Sequence, residues 1–170
     1  FDQLAEVRDE AQRLVHFLYL LENHSPAWTT PPDAQWLRAD ELAGVAFTQP
    51  AHQLAISTWL TQIEQGVTPP RRAQWAQVGW QHGAETWIHN QLDQLGYAAT
   101  GPIQQIKNWF ISCILRTPTD RGNVYFKATN ASSLMVNEAQ MTQALADMFP
   151  QVMPIPLAIE PTQDWLLLAD

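Results

Sequence analysis

The chain has 170 residues, 46% of them hydrophobic, enough to bury a core in one moderate domain or two small ones and too many for a disordered chain. Its 17 acidic and 9 basic residues leave a formal charge of −8, which argues against a broad nucleic-acid-binding or anionic-membrane surface but permits a local basic pocket. The single cysteine, Cys113, forbids an intrachain disulfide, the apolar runs at 14–21 and 165–168 are too short to span a bilayer, and no signal-peptide pattern opens the chain, so a cytoplasmic location is expected. The sequence starts on Phe1 and stops at Asp170 directly after an apolar run, and both ends read as cuts inside a longer protein.

Phe1, Leu4, Val7, Ala11 and Leu14 recur at helical spacing, which predicts an amphipathic helix over 1–14. Residues 15–21 are apolar and aromatic throughout, a pattern that fits either more helix or a buried strand. Prolines 26, 31 and 32 make 25–32 a loop. Trp36 and Leu37, followed by Asp40, Glu41 and Leu42, suggest a short strand leading into one helical turn. A clearer helix covers 51–65, with Leu54, Trp59, Leu60 and Ile63 as its apolar residues and Gly66 beyond its end. A second covers 81–95, with the stripe Ala84, Trp87, Ile88, Leu92 and Leu95 and with Gly96 as its stop. Residues 96–102 read as a small hinge.

Beyond the hinge the period changes from 3.6 to two. Residues 106–116 read as two short strands or one bent strand pair, 117–123 as a turn, and 124–128 as a strand. Residues 130–133 offer candidate N-caps for a helix over 134–148. Strands near 155–159 and 165–169 flank a turn at 160–164. The order over the last seventy residues is β-β-β-α-β-β, and the chain as a whole is α+β, with a mostly helical region at 1–100 and a five-stranded antiparallel sheet with one helix at 101–170.

Lys127 sits inside the otherwise apolar strand 124–128. Leu134, Glu138, Met141 and Leu145 fall at i, i+4, i+7 and i+11, one face of the following helix, so Glu138 is expected to project inward. A carboxylate placed there needs a cation, and Lys127 is the nearest in sequence. Such a pair serves either as a structural ion pair or as a kinase-type device, in which the lysine meets the α- and β-phosphates of ATP and the glutamate orients it.

The segments 112–116, 124–128, 137–142, 152–156 and 165–170, in that order and at those spacings, resemble the small lobe of the aminoglycoside phosphotransferase family, which includes choline- and homoserine-kinase-like enzymes. The resemblance implies a protein-kinase-like fold for 101–170, with Lys127 as the phosphate lysine and Glu138 as its helix partner. By the same resemblance Ser112, in the turn between the first two strands, lies over the phosphates, and Leu168, Ala169 and Asp170 begin the hinge whose backbone meets adenine. The implied cofactors are ATP and Mg2+, and the implied acceptor is a hydroxyl of a small polar molecule. A Gly-rich loop is missing between Gly101 and Arg116, and His82-Gly83 is followed by Ala84 rather than aspartate. The catalytic loop and the metal ligands are therefore expected after Asp170, and this stretch alone is expected to be inactive. The alternative function is a non-catalytic nucleotide-sensing or protein-interaction module on the same fold.

The first hundred residues carry no comparable signal. Segment 36–42 faintly resembles the end of a Nudix hydrolase domain, but residues 6–10 lack the glycines and glutamate pair of its metal-binding box. Trp59, Trp75, Trp80 and Trp87 are expected to anchor helices against each other and against the small lobe, with an aromatic ligand cage as the alternative. The five histidines show no close ligand pair, and no metal site is expected from them.

Overall fold

A computed structural model describes residues 2–8, 11–20, 27–67, 72–130 and 137–170. The chain divides into two compact units, Phe1–Pro70 and Arg71–Asp170. Residues 72–100, expected to belong with the N-terminal region, are part of the second unit.

The first unit opens with a strand pair, not a helix: β1 (Asp2–Arg8) runs antiparallel to β2 (Leu14–Leu20). The register shift between Gln3 and Ala5 leaves Leu4 as an extra residue in β1, and the shift between Val7 and Arg8 leaves Val15 as one in β2. A bulge inserts one residue and breaks the period of two, so Leu4 and Val7 fall three apart and imitate a helical stripe. The helix-or-strand choice for 15–21 resolves as strand. The expected strand at 36–37 is absent, but the helical turn expected at 40–42 is present as a 3-10 helix at Ala39–Gly44, with Glu41 accepting from the backbone N–H of Arg38 at 2.7 Å. Helix α1 (Pro50–Glu64) starts on a proline at its first position, where the missing N–H costs nothing. None of its residues is fully buried, and Leu54 is 70% exposed.

In the second unit, helix α2 (Trp80–Leu95) ends at Gly96, which adopts φ +71°, and the N–H groups of Gly96 and Tyr97 close back on the carbonyls of Asp93 and Leu92. Strands β3 (Gln104–Asn108), β4 (Ser112–Thr119), β5 (Gly122–Thr129), β6 (Ala158–Glu160) and β7 (Trp165–Ala169) form one antiparallel sheet in the order β3-β4-β5-β7-β6. Helix α3 (Glu138–Met148) lies in the connection between β5 and β6. The β-β-β-α-β-β order is as the sequence predicts.

The expected turn at 117–123 shrinks to Asp120 and Arg121, because Thr119 pairs with Gly122 and the strands run on to meet it. The expected hinge at 96–102 is tied to this hairpin. Ala99 bridges Thr119, Ala98 and Asp120 exchange backbone and side-chain bonds, and the Arg121 guanidinium donates to the Gly96 carbonyl at 2.7 Å.

The core lies on one face of the sheet. Ala84, Ile88 and Leu92 of α2 meet Cys113 and Leu115 of β4, Val124, Phe126 and Ala128 of β5, and Trp165 and Leu167 of β7. Each strand contributes alternate residues, as its pleat requires. Ile88 and Leu92 are almost completely buried, each worth about 1.5–3 kcal/mol of apolar transfer. Lys127 therefore belongs to the opposite face.

Candidate functional site

On that opposite face β5 presents Tyr125, Lys127 and Thr129, and the neighbouring strands place Ile114 and Leu166 beside Lys127. Lys127 Nζ forms an ion pair with Glu138 Oε1, the side chains being 28% and 18% exposed. The second carboxylate oxygen, Oε2, accepts from Thr129 Oγ1 at 2.8 Å. Both oxygens are thus held by β5, two residues apart on one face of the strand.

The end of α3 that carries Glu138 is fixed from a distance. Asp164, in the turn between β6 and β7, accepts from the backbone N–H of Glu138 at 3.2 Å and of Ala139 at 2.8 Å, one bond to each carboxylate oxygen. A carboxylate at a helix N-terminus satisfies orphan donors and the positive end of the helix dipole together. Asp164 itself has φ +52°, and its carbonyl accepts the Thr129 N–H at 3.3 Å. The Asn130 amide donates to the Phe110 carbonyl at 3.0 Å, and the N-cap position of α3 is Asn137. The other expected caps, residues 131–133, lie outside the described residues.

Glu138 points at Lys127, but not because its helix face is the one predicted. Met141 is 58% exposed and Leu145 38%, whereas Ala139 and Ala146 are the buried positions, with Thr142 and Gln143 half-buried between them. The face turned inward is Ala139, Thr142, Gln143 and Ala146, and Glu138 lies at its edge. Leu134, the first residue of the predicted stripe, is outside the described residues.

Ser112 is the first residue of β4 rather than part of the turn. It pairs with Thr129 across the sheet and is 4% exposed, and its Oγ accepts from Trp109 Nε1 at 3.0 Å. Leu168 pairs with Tyr125, so Ser112, Lys127 and Leu168 share one face with Lys127 in the middle. Ala169 pairs with Val124 and falls on the core face. Asp170 gives its N–H to the Asn123 carbonyl at 3.1 Å, and its carboxylate accepts from the Asn123 amide at 3.3 Å.

Comparison of the chain with protein-family models, with curated proteins and with solved structures finds no match.

Sequence reasoning missed three residues. Thr129 was open to inference, since it follows Lys127 at the strand period of two. Asp164 carries no local signal, because it caps a helix 26 residues earlier in the chain. Gln74 carries none either, yet it makes four hydrogen bonds. Its amide nitrogen donates to the carbonyls of Thr129 (3.1 Å) and Gln163 (2.9 Å), and its oxygen accepts from the indole N–H of Trp80 (3.0 Å) and of Trp165 (2.8 Å). Indoles only donate, so the oxygen must face the tryptophans. Gln74 joins the segment before α2 to Thr129 and to the turn that holds Asp164.

Trp75, Trp80 and Trp87 serve mainly as anchors. Trp80 and Trp87 pack on Phe126 and Trp165 with ring centroids 5.7–6.1 Å apart at steep angles, and Trp75 meets Trp80 at 6.2 Å. Trp59 belongs to the first unit.

Proposed function

We propose that residues 71–170 are the nucleotide-binding small lobe of an ATP-dependent small-molecule phosphotransferase of the aminoglycoside-phosphotransferase type. The observation that carries this reading is the Lys127–Glu138 pair, a cation on the central strand of a five-stranded antiparallel sheet met by a carboxylate from the helix inserted between β5 and β6. An ammonium has three N–H donors, and one committed to Glu138 leaves others for phosphate oxygens. Thr129 fixes the second oxygen of Glu138 and Asp164 fixes the start of its helix. The lysine is thereby held in place before any nucleotide arrives, which is what positioning catalysis of phosphoryl transfer requires.

In this reading Lys127 contacts the α- and β-phosphates and Glu138 is its positioning residue. Ser112 lies on the same face toward the phosphates, and the end of β7 at Leu168, Ala169 and Asp170 lies toward the adenine. Among the described residues no group of three or more His, Cys, Asp or Glu is placed to hold a metal. The phosphate acceptor, a hydroxyl of a small polar molecule, is assigned no residue of this chain.

Isothermal titration of the 170-residue chain with Mg·ATP tests the reading. Lys127→Met should weaken binding by about tenfold or more, the worth of a charge-assisted phosphate contact, while leaving the circular dichroism spectrum unchanged. Equal affinity of the two proteins would remove Lys127 from the proposed role.

A further inference from the structure

The face of the sheet opposite Lys127 carries a second feature that the nucleotide reading does not use. An open groove of about 490 Å³ runs along α2, with walls formed by Trp80, Trp87 and Trp165. That volume falls within the usual span of small-molecule sites. Trp80 and Trp87 are seven residues apart on one side of the helix, and Trp165 stands nearly perpendicular to both, at 88° and 69°.

Gly83 lines the groove between the two helix tryptophans. A glycine inside a helix costs about 1 kcal/mol relative to alanine, so its presence needs a cause. Close packing is not that cause: a Cβ added at Gly83 would meet nothing within 4 Å. The helix surface at Gly83, between Trp80 and Trp87, is open space.

The polar rim has a definite sign. Thr86, Asn90, Thr162 and Gln163 are neutral, and Glu160 is the one charged residue of the lining. Glu160 pairs with Trp165 across β6 and β7, so the two side chains share a face. Thr162 holds its carboxylate with the hydroxyl at 2.6 Å and the backbone N–H at 3.1 Å, and these two bonds, the hydroxyl first, keep its pKa below the usual glutamate value. Aromatic faces with a fixed anion and no competing cation form the environment that attracts an organic cation, and the chain's net charge of −8 draws it in.

We propose that the groove between Trp80 and Trp87 binds an alkylammonium cation, with the tryptophan faces around the methyl groups and Glu160 at the charge. The site is independent of the nucleotide reading, since it uses none of that reading's residues and lies on the other face of the sheet.

The test is a titration of the 170-residue chain with choline chloride at constant ionic strength, followed by tryptophan fluorescence and by the indole N–H resonances. The neutral isostere 3,3-dimethylbutan-1-ol is the control. Saturable shifts of the Trp80 and Trp87 indoles are expected with choline, with the isostere about tenfold or more weaker. Gly83→Leu should abolish binding while the thermal midpoint stays the same or rises, and Glu160→Gln should weaken binding several-fold. Amides of trimethyl-lysine carry the same ammonium, and tighter binding of one probe than the other identifies a free molecule or a modified side chain as its source. Non-saturable changes with every ammonium, equal affinity for the neutral isostere, or unchanged binding in Gly83→Leu would each overturn the proposal.

Discussion

Replacing Gln74 with methionine removes four hydrogen bonds while nearly conserving side-chain volume, and the cost follows from where the four partners sit. The Thr129 residue is 1% exposed and Trp165 is 8% exposed, so the carbonyl and the indole N–H they leave behind have little access to water. Each such orphan costs about 1–3 kcal/mol. Trp80 is half-buried and regains part of its bond from solvent, and the exposed Gln163 carbonyl regains nearly all of it. The expected loss is about 3–4 kcal/mol, a large fraction of the roughly 5–15 kcal/mol that holds a typical domain folded. Urea unfolding followed by tryptophan fluorescence should show a lower midpoint with an unchanged slope. Gln74→Glu is the sharper variant. It keeps the acceptor for both indoles but sets a carboxylate oxygen against the Thr129 and Gln163 carbonyls, so it should cost at least as much. A loss below about 0.5 kcal/mol in both variants, the size of an ordinary surface substitution, would show that Gln74 does not hold these elements together.

Asp164→Ala should destabilise the second unit by about 1–2 kcal/mol, the worth of a helix cap plus its dipole term, and hydrogen exchange should quicken at the Glu138 and Ala139 amides before others in α3. Gly83→Ala should raise stability by up to about 1 kcal/mol in chemical denaturation, since the added methyl group meets no neighbour and favours the helix. Thr162→Val should raise the Glu160 pKa toward the usual glutamate range in a carboxylate NMR titration, because the hydroxyl bond is the largest cause of its lowering. Glu160 contributes stability that is present above its unfolded pKa and lost as pH falls through the lower folded value, so wild type should lose more stability than Thr162→Val across that acidic window.

Sequence periodicity carried furthest where one face of an element meets one neighbour. The stripe Ala84, Ile88 and Leu92 marks α2, and Gly96 marks its end, because a single helix face packs on a single sheet. Periodicity misled at β1, where an extra residue at Leu4 breaks the strand period and the segment scans as a helix. At α3 it gave the right pair for an incomplete reason. Met141 and Leu145 are apolar yet exposed, the small residues Ala139 and Ala146 do the packing, and Glu138 reaches Lys127 from the edge of that face. What stayed illegible is long-range. The Asp164 cap and three of the four bonds of Gln74 join residues 25 to 91 positions apart, and no local pattern announces such a bond.

Acylation by an ATP acyl-phosphate probe tests most directly whether Lys127 faces the phosphates of a bound nucleotide. The probe delivers its acyl group to a lysine amine lying near the phosphates. Lys107 and Lys127 are the only lysines in the sequence, and Lys107, stacked 3.6 Å over the Trp109 ring, is an internal control. Peptide mass spectrometry should find Lys127 labelled well above Lys107, with excess ATP protecting Lys127 alone. Equal labelling of the two lysines, with no protection by ATP, would contradict the account.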